Sequence, residues 1–300
     1  MSAITMKHLR YFEALSRHAH FGRAAEDCAV TQPALSMQIK ELEAILGAPL
    51  VERGARKLHL TPLGEAFATR ARAILRAVDD LGDLARASGQ TYPGPLRLGV
   101  IPTIAPYLLP GVIAGLARRF PALEVRPRET VTRRLVADLQ AARLDAAIVA
   151  LPVSEPTLDE MPLFSEEFVL VRPPGDADRP VPRPENLAEM RLLLLEEGHC
   201  FRDQALSVCR LSDGPPRDLM EGSSLSTLVQ MVGAGIGVTL LPQMALPVET
   251  RAAAVSLARL PAPRPSRQIG LIWRRANPLA GWLRQMGEVV REAGQVQTQA

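Results

Sequence analysis

The order of segments predicts an all-α winged helix-turn-helix DNA-binding domain and a long linker helix, followed by a two-lobed α/β regulatory domain. Three observations predict it. The first sixty residues read as short helices joined by tight turns, a single long apolar-striped helix follows, and after the breaker run "SGQTYPGP" strands begin to alternate with helices. The boundaries expected are 1–61, 62–91 and 92–300. The last region would divide into one lobe of 92–164 with 268–300 and another of 165–267.

Thr5 can cap a first helix whose apolar face is Leu9, Phe12 and Leu15. "FGRAAEDCAV" gives a second, alanine-rich helix from about Gly22, with Cys28 on its apolar side as a core residue. Thr31 supplies the next cap, Pro33 is tolerated in the first turn, and "ALSMQIKELEAIL" runs to Gly47, a good C-terminal stop. Leu35, Ile39, Leu42 and Leu46 share one face of this third helix. Pro33, Ser36, Met37 and Lys40 fall on the other, with Gln32 at its open end. Two helices joined by a short turn, the second with a small polar outer face, fit a helix-turn-helix that enters the major groove. There Gln and Ser reach base edges and Lys reaches phosphate. "LVERGARKLHLTP" then suits a wing, with Arg53, Arg56 and Lys57 on the phosphate backbone. Taken singly, each feature fits a generic helical bundle with a solvated face; together they favour DNA binding.

Thr61-Pro62 opens a long helix to about Ser88, striped by Leu63, Phe67, Ile74, Val78, Leu81 and Leu84. Nothing near it in sequence is built to bury that stripe, so a second copy of the same helix is expected to cover it. Packing on the chain's own later residues is the alternative. Beyond the breaker run, "LRLGVI", "LEVRPRE", "DAAIVAL", "EEFVLVRP", "RLLLLEE" and "QIGLIWRR" read as strands. "YLLPGVIAGLARRF" and "RRLVADLQAARL" read as helices between the first three, and the chain ends on a helix with Leu279, Trp282, Leu283 and Met286. This alternation predicts a sheet of largely parallel order. The glycines of "VGAGIGVTLLP" precede a strand rather than follow one, which is a poor dinucleotide loop.

With 47% hydrophobic and 22% charged residues, no stretch is disordered by composition, and none reaches the roughly 18 apolar residues of a membrane span. The N-terminus "MSAITMKHLRYFEAL" turns amphipathic and charged at once, unlike a signal peptide, so a cytoplasmic location is expected. A net charge of +3 permits nucleic-acid binding without demanding it.

Two of the three cysteines stand in "EEGHCFRDQALSVC". A reducing compartment argues against a structural staple between Cys200 and Cys209. With only His199 nearby and no second CxxC or HxxxH pair, zinc is a weak reading too. No metal and no cofactor is expected. Residue statistics alone favour a buried, inert Cys200; the adjacent cation Arg202, the second cysteine and the reducing setting favour a reactive one.

The segment "FEALSRHAHFGRAAEDCAVTQPALSMQIKELEAILGAPLVERGARKLHLTPLGEAF" resembles the N-terminal domain of LysR-type transcriptional regulators. The α/β region is similar to that family's periplasmic-binding-protein-like effector domain. Within the family, "LGVIPTIAPYLLP", "EEGHCFRDQALSVC", "SSLSTLVQMVGAGIGVTLLP" and "QIGLIWRR" look like its hydrogen-peroxide-sensing branch. The resemblance implies a homodimer or homotetramer on double-stranded promoter DNA, working with RNA polymerase to activate antioxidant genes when oxidised. It implies that Cys200 is the peroxidatic residue and Cys209 its resolving partner. Thr103, Thr132 and His199 would surround hydrogen peroxide, with Arg202 and Asp203 completing the pocket. Met37 departs from the family, which often has Arg there.

The chemistry suits that expectation. A thiolate attacks peroxide, leaving a sulfenic acid that a second thiol converts to a disulfide. Cys200 and Cys209 would lie about 13.5 Å apart along a continuous helix, whereas a disulfide tolerates Cα separations of at most about 7 Å. Closing the bond must therefore refold the segment between them. Rival readings are a family member answering a small metabolite, a thiol peroxidase, and a solute-binding protein.

Overall fold

A computed structural model of the chain describes residues 3–52, 58–87, 95–208 and 220–299. The chain divides into two compact units, one ending at Ala85 and the other starting at Arg86.

In the first unit α1 (Met6–His18), α2 (Phe21–Asp27) and α3 (Gln32–Leu46) surround a core of Phe12, Leu15, Ala24, Leu35, Ile39, Leu42 and Leu50. Thr5 does cap α1: its hydroxyl accepts from the His8 N–H while His8 Nδ1 accepts from the Thr5 N–H, a reciprocal pair that satisfies two free donors. Thr31 caps α3 and Gly47 closes it at φ +69°, a conformation glycine takes without strain. Cys28 is the C-cap of α2 rather than part of its buried face, and it lies half-buried at the margin of the core.

The long helix α4 (Pro62–Ala87) begins by crossing the Leu50 carbonyl. A Cβ at Gly64 would stand 2.1 Å from that oxygen, so only glycine allows the approach. Phe67 meets Phe12 edge-to-face at 5.4 Å and joins the core. The rest of the expected stripe is different. Leu63, Ile74, Val78 and Leu81 are exposed, at 48% for Ile74 and 65% for Leu81; the Leu84 side chain lies outside what the structure describes.

The second unit alternates β1 (Leu96–Val100), α5 (Ala105–Arg119), β2 (Val125–Glu129), α6 (Thr132–Gln140) and β3 (Ala146–Leu151). It continues with β4 (Leu158–Arg172), β5 (Leu193–Leu195), α7 (Cys200–Val208), β6 (Met220–Gly222) and α8 (Leu225–Gly233). Last come β7 (Thr239–Pro242), α9 (Leu246–Glu249), β8 (Ser256–Arg259), β9 (Ser266–Arg274) and α10 (Ala280–Gln299). The main sheet has the order β2-β1-β3-β9-β4-β7, with β8 also on β4, and β5 and β6 form a second, two-stranded sheet.

The expectation of a largely parallel sheet needs correction. Strands β2, β1 and β3 are parallel, as are β5 and β6, but β4, β7, β8 and β9 pair antiparallel. Only residues 152–157 separate β3 from β4, too few for the crossover of about a dozen that a parallel return needs. Strand β4 also starts well before the expected "EEFVLVRP". Pro162 cannot donate to a ladder, and the register slips between Pro162 and Phe164, which broke the alternation that marks a strand. This long strand pairs with β9 over residues 158–167 and with β8 over 169–172. The unit's buried residues form one contiguous core.

Candidate functional site

Helix α3 presents its expected outer face. Thr31, Gln32, Pro33, Met37 and Lys40 are exposed and Ser36 is half-buried, while Leu35, Ile39 and Leu42 face the core. Thr31 divides its role, since its hydroxyl accepts from the Ala34 N–H at 3.4 Å. Val51 and Leu60 form an antiparallel bridge, and the Glu52 N–H donates to the His59 carbonyl at 2.9 Å. Arg53, Arg56 and Lys57 fall between these partners and lie outside the described residues.

Cys200 is the first residue of α7. Gly198 turns the chain at φ +97°, and the Arg202 N–H donates to the His199 carbonyl to start the helix. Phe201 and Ala205 are the buried face of α7, and Phe201 meets Phe168 of β4 edge-to-face at 5.3 Å. The neighbouring Cys200 is thereby drawn half-buried against the core as a free thiol. Cys209 lies outside the described residues.

Arg202 does not stand free beside that thiol. Its guanidinium donates to Glu221 Oε1 at 2.5 Å and to the Leu195 carbonyl at 3.0 Å, fastening α7 to the β5–β6 sheet. A cation paired in this way presents a reduced net charge to its surroundings. Asp203 is exposed on the outer side of the first turn, and His199 is half-buried immediately before Cys200.

Thr103 and Thr132 follow the C-terminal ends of the parallel neighbours β1 and β2, the edge where α/β sheets hold ligands. The Thr103 hydroxyl accepts from Arg267 Nη1 at 2.8 Å, and its carbonyl accepts from Nη2 at 3.0 Å. Thr103 is buried, so this clamp fixes a hydroxyl that keeps its own proton to donate. The Thr132 hydroxyl is buried and has no hydrogen-bond partner among the described residues. An orphan of that kind is costly and marks a place where a polar ligand fits.

Arg267 was not foreseen from the sequence, and it joins the parts. It pairs with Glu166 at 2.7 Å, the two side chains being 1% and 0% exposed. Glu166 also accepts from the Met244 N–H at 3.2 Å. The guanidinium lies 5.4 Å over the ring of Phe201, the residue after Cys200. Thr103, Arg267, Glu166 and Phe201 are thus one buried cluster, and Phe201 is the residue that follows Cys200 in α7. A signal for Arg267 was present: the strand period of two puts it on the same face as Ile269, Leu271 and Trp273, all buried.

Residues 6–65 match the family model for the LysR-family bacterial regulatory helix-turn-helix, and residues 89–295 match that for the LysR substrate binding domain. The chain is 40% identical over 290 residues to the DNA-binding transcriptional dual regulator OxyR of Escherichia coli K12, covering 96% of this chain and 95% of that one. A full-length OxyR variant from Pseudomonas aeruginosa superposes with a TM-score of 0.75 at 35% identity, covering 97% of this chain and 96% of the other. A hydrogen-peroxide-bound OxyR variant from Corynebacterium glutamicum gives a TM-score of 0.67 at 34% identity, over 99% and 94%. A helix-turn-helix with an exposed polar face, followed by an α/β unit of matching sequence and shape, places the chain in the LysR family of bacterial transcriptional regulators.

Proposed function

We propose that the protein is a promoter-binding transcriptional activator that senses hydrogen peroxide through Cys200. The observation that carries the reading is a free, half-buried thiol opening a helix whose next residue, Phe201, stacks under the same Arg267 that holds the Thr103 hydroxyl. The peroxide-bound and regulatory relatives support it.

The Cys200 thiolate attacks one peroxide oxygen; an S–O bond forms, the O–O bond breaks, and the departing hydroxide takes a proton to become water. Thr103 and His199 donate to the two oxygens, and the unpartnered Thr132 hydroxyl supplies a further contact. The Cys209 thiolate then attacks the sulfenic sulfur, giving a disulfide and a second water. Helix α7 spans Cys200–Val208, and Cys209 is the next residue in the sequence. The bond requires α7 to unwind, and this refolding is the signal.

DNA is held by α3, with Thr31, Gln32, Pro33, Ser36 and Lys40 toward the major groove. Arg53, Arg56 and Lys57 act as a wing on phosphate. A periplasmic-binding-protein-like architecture for the second unit, a homodimer or homotetramer built on α4, and contact with RNA polymerase complete the reading. The rival enzymatic role is tested by turnover with a recycling reductant. A sensor consumes about one equivalent of peroxide per thiol pair before it is reset. Sustained catalytic consumption at rates typical of enzymes would replace the sensor reading with a peroxidase.

A further inference from the structure

Arg267 holds Thr103 directly. A second carboxylate, Glu249, holds the helix that the Thr103 segment leads into. Tyr107 is buried in the first turn of α5, the helix that Thr103 leads into, and its N–H donates to the Ile104 carbonyl at 3.1 Å. Its hydroxyl donates to Glu249 Oε1 at 2.6 Å. Glu249 ends α9, and its other oxygen accepts from the Ser226 hydroxyl of α8, also at 2.6 Å. Burial and the Glu249 carboxylate both push the Tyr107 hydroxyl well above its ordinary pKa, so it remains a donor at any physiological pH.

These contacts close a ring. From Thr103 the path runs through Arg267 and Glu166 to the Met244 N–H, in the turn Gln243–Ala245 that leads directly into α9. From the far end of α9 it returns through Glu249 and Tyr107 to the start of α5 and the Thr103 loop. Neither half of the ring is local in sequence, and each ends on the segment that carries Thr103.

Resting on the peroxide-sensing reading above, we infer that Glu249 and Tyr107 are positioning residues for the peroxide reaction. They set the Thr103 hydroxyl where peroxide needs it, without touching peroxide themselves. The Tyr107 bond ties the first turn of α5 to a carboxylate that Ser226 of α8 holds in place, and a clamp with both ends fixed holds a donor more tightly than Arg267 alone.

The test compares two reactions of Cys200 in the full-length reduced protein. Hydrogen peroxide needs the oriented hydroxyl; alkylation by iodoacetamide needs only the thiolate. Tyr107→Phe should slow the peroxide reaction by roughly ten- to a hundredfold and leave alkylation unchanged. Glu249→Ala should behave alike. Glu249→Gln, which keeps an acceptor for Tyr107 and a donor for Ser226, should restore most of the rate. Ser226→Ala serves if the tyrosine variant folds poorly, with a smaller loss in the same direction. Equal peroxide rates in wild type and Tyr107→Phe would overturn the inference, as would parallel losses in both reactions. If wild type itself shows no Cys200-dependent peroxide reaction, the sensing reading fails first, and the comparison with Cys200→Ser distinguishes the two failures.

Discussion

At the residue scale the decisive group is Arg267. It is buried against Glu166, so removing either partner leaves an uncompensated buried charge costing about 3–5 kcal/mol. Stability and reactivity are separable here. Arg267→Met should lower the melting temperature and also slow peroxide oxidation of Cys200. Adding Glu166→Gln removes the stranded charge and should recover much of the stability, while Thr103 still lacks its clamp and the slow reaction remains. Recovery of both together, in calorimetry and stopped-flow kinetics, would make the pair purely structural. Legibility at this scale was uneven. Thr103 came only through the family resemblance, whereas Cys200 stood out because it lies in a short, chemically marked stretch. Arg267 did not, because its partners Glu166 and Thr103 are distant in sequence, and a charged residue at the start of a strand reads as solvated. Arg202 shows the reverse. Adjacency to Cys200 suggests a role toward the thiol, and the structure adds a bond to Glu221, whose place on β6 leaves no mark near Arg202 in the sequence.

At the element scale α2 ends at Asp27, short of the expected "FGRAAEDCAV", whereas α1 and α3 were legible at their caps, because Thr5, Thr31, a proline and a terminal glycine punctuate them. The mixed sheet was not. Its antiparallel strands depend on a short connection and on a bulged proline strand, neither of which a two-residue period detects. The best-specified functional element is α3, and its outer face gives a direct prediction. Ser36→Glu should abolish operator binding in a gel-shift titration while leaving the circular dichroism and melting temperature unchanged. The new charge would meet phosphate and base edges, and Ser36 is only half-buried. Unchanged affinity would remove α3 from the interface.

For the whole molecule, the apolar surface on α4 matters most. Leu63, Ile74, Val78 and Leu81 lie exposed on one helix of the single chain, and burial of such side chains is worth on the order of 1.5–3 kcal/mol each. A second copy of the helix is the occupant the account requires. Ile74→Glu should therefore sediment as a monomer and bind a two-half-site operator weakly, since each protomer then binds alone. An intact dimer would show that assembly uses another surface. The described residues contain no helix long and apolar enough to cross a membrane.

The central claim is that one chemical event at Cys200 passes to Cys209 and refolds α7. It is tested most directly by mass spectrometry of the reduced, purified protein before and after one equivalent of hydrogen peroxide, with peptide mapping of the three cysteines. Wild type should lose two hydrogens and yield a linked peptide joining Cys200 to Cys209. Cys209→Ser should gain oxygen on Cys200 alone, Cys200→Ser should remain unmodified, and Cys28→Ser should behave as wild type. A wild-type protein left unmodified, or a Cys200→Ser variant oxidised as readily as wild type, would contradict the account.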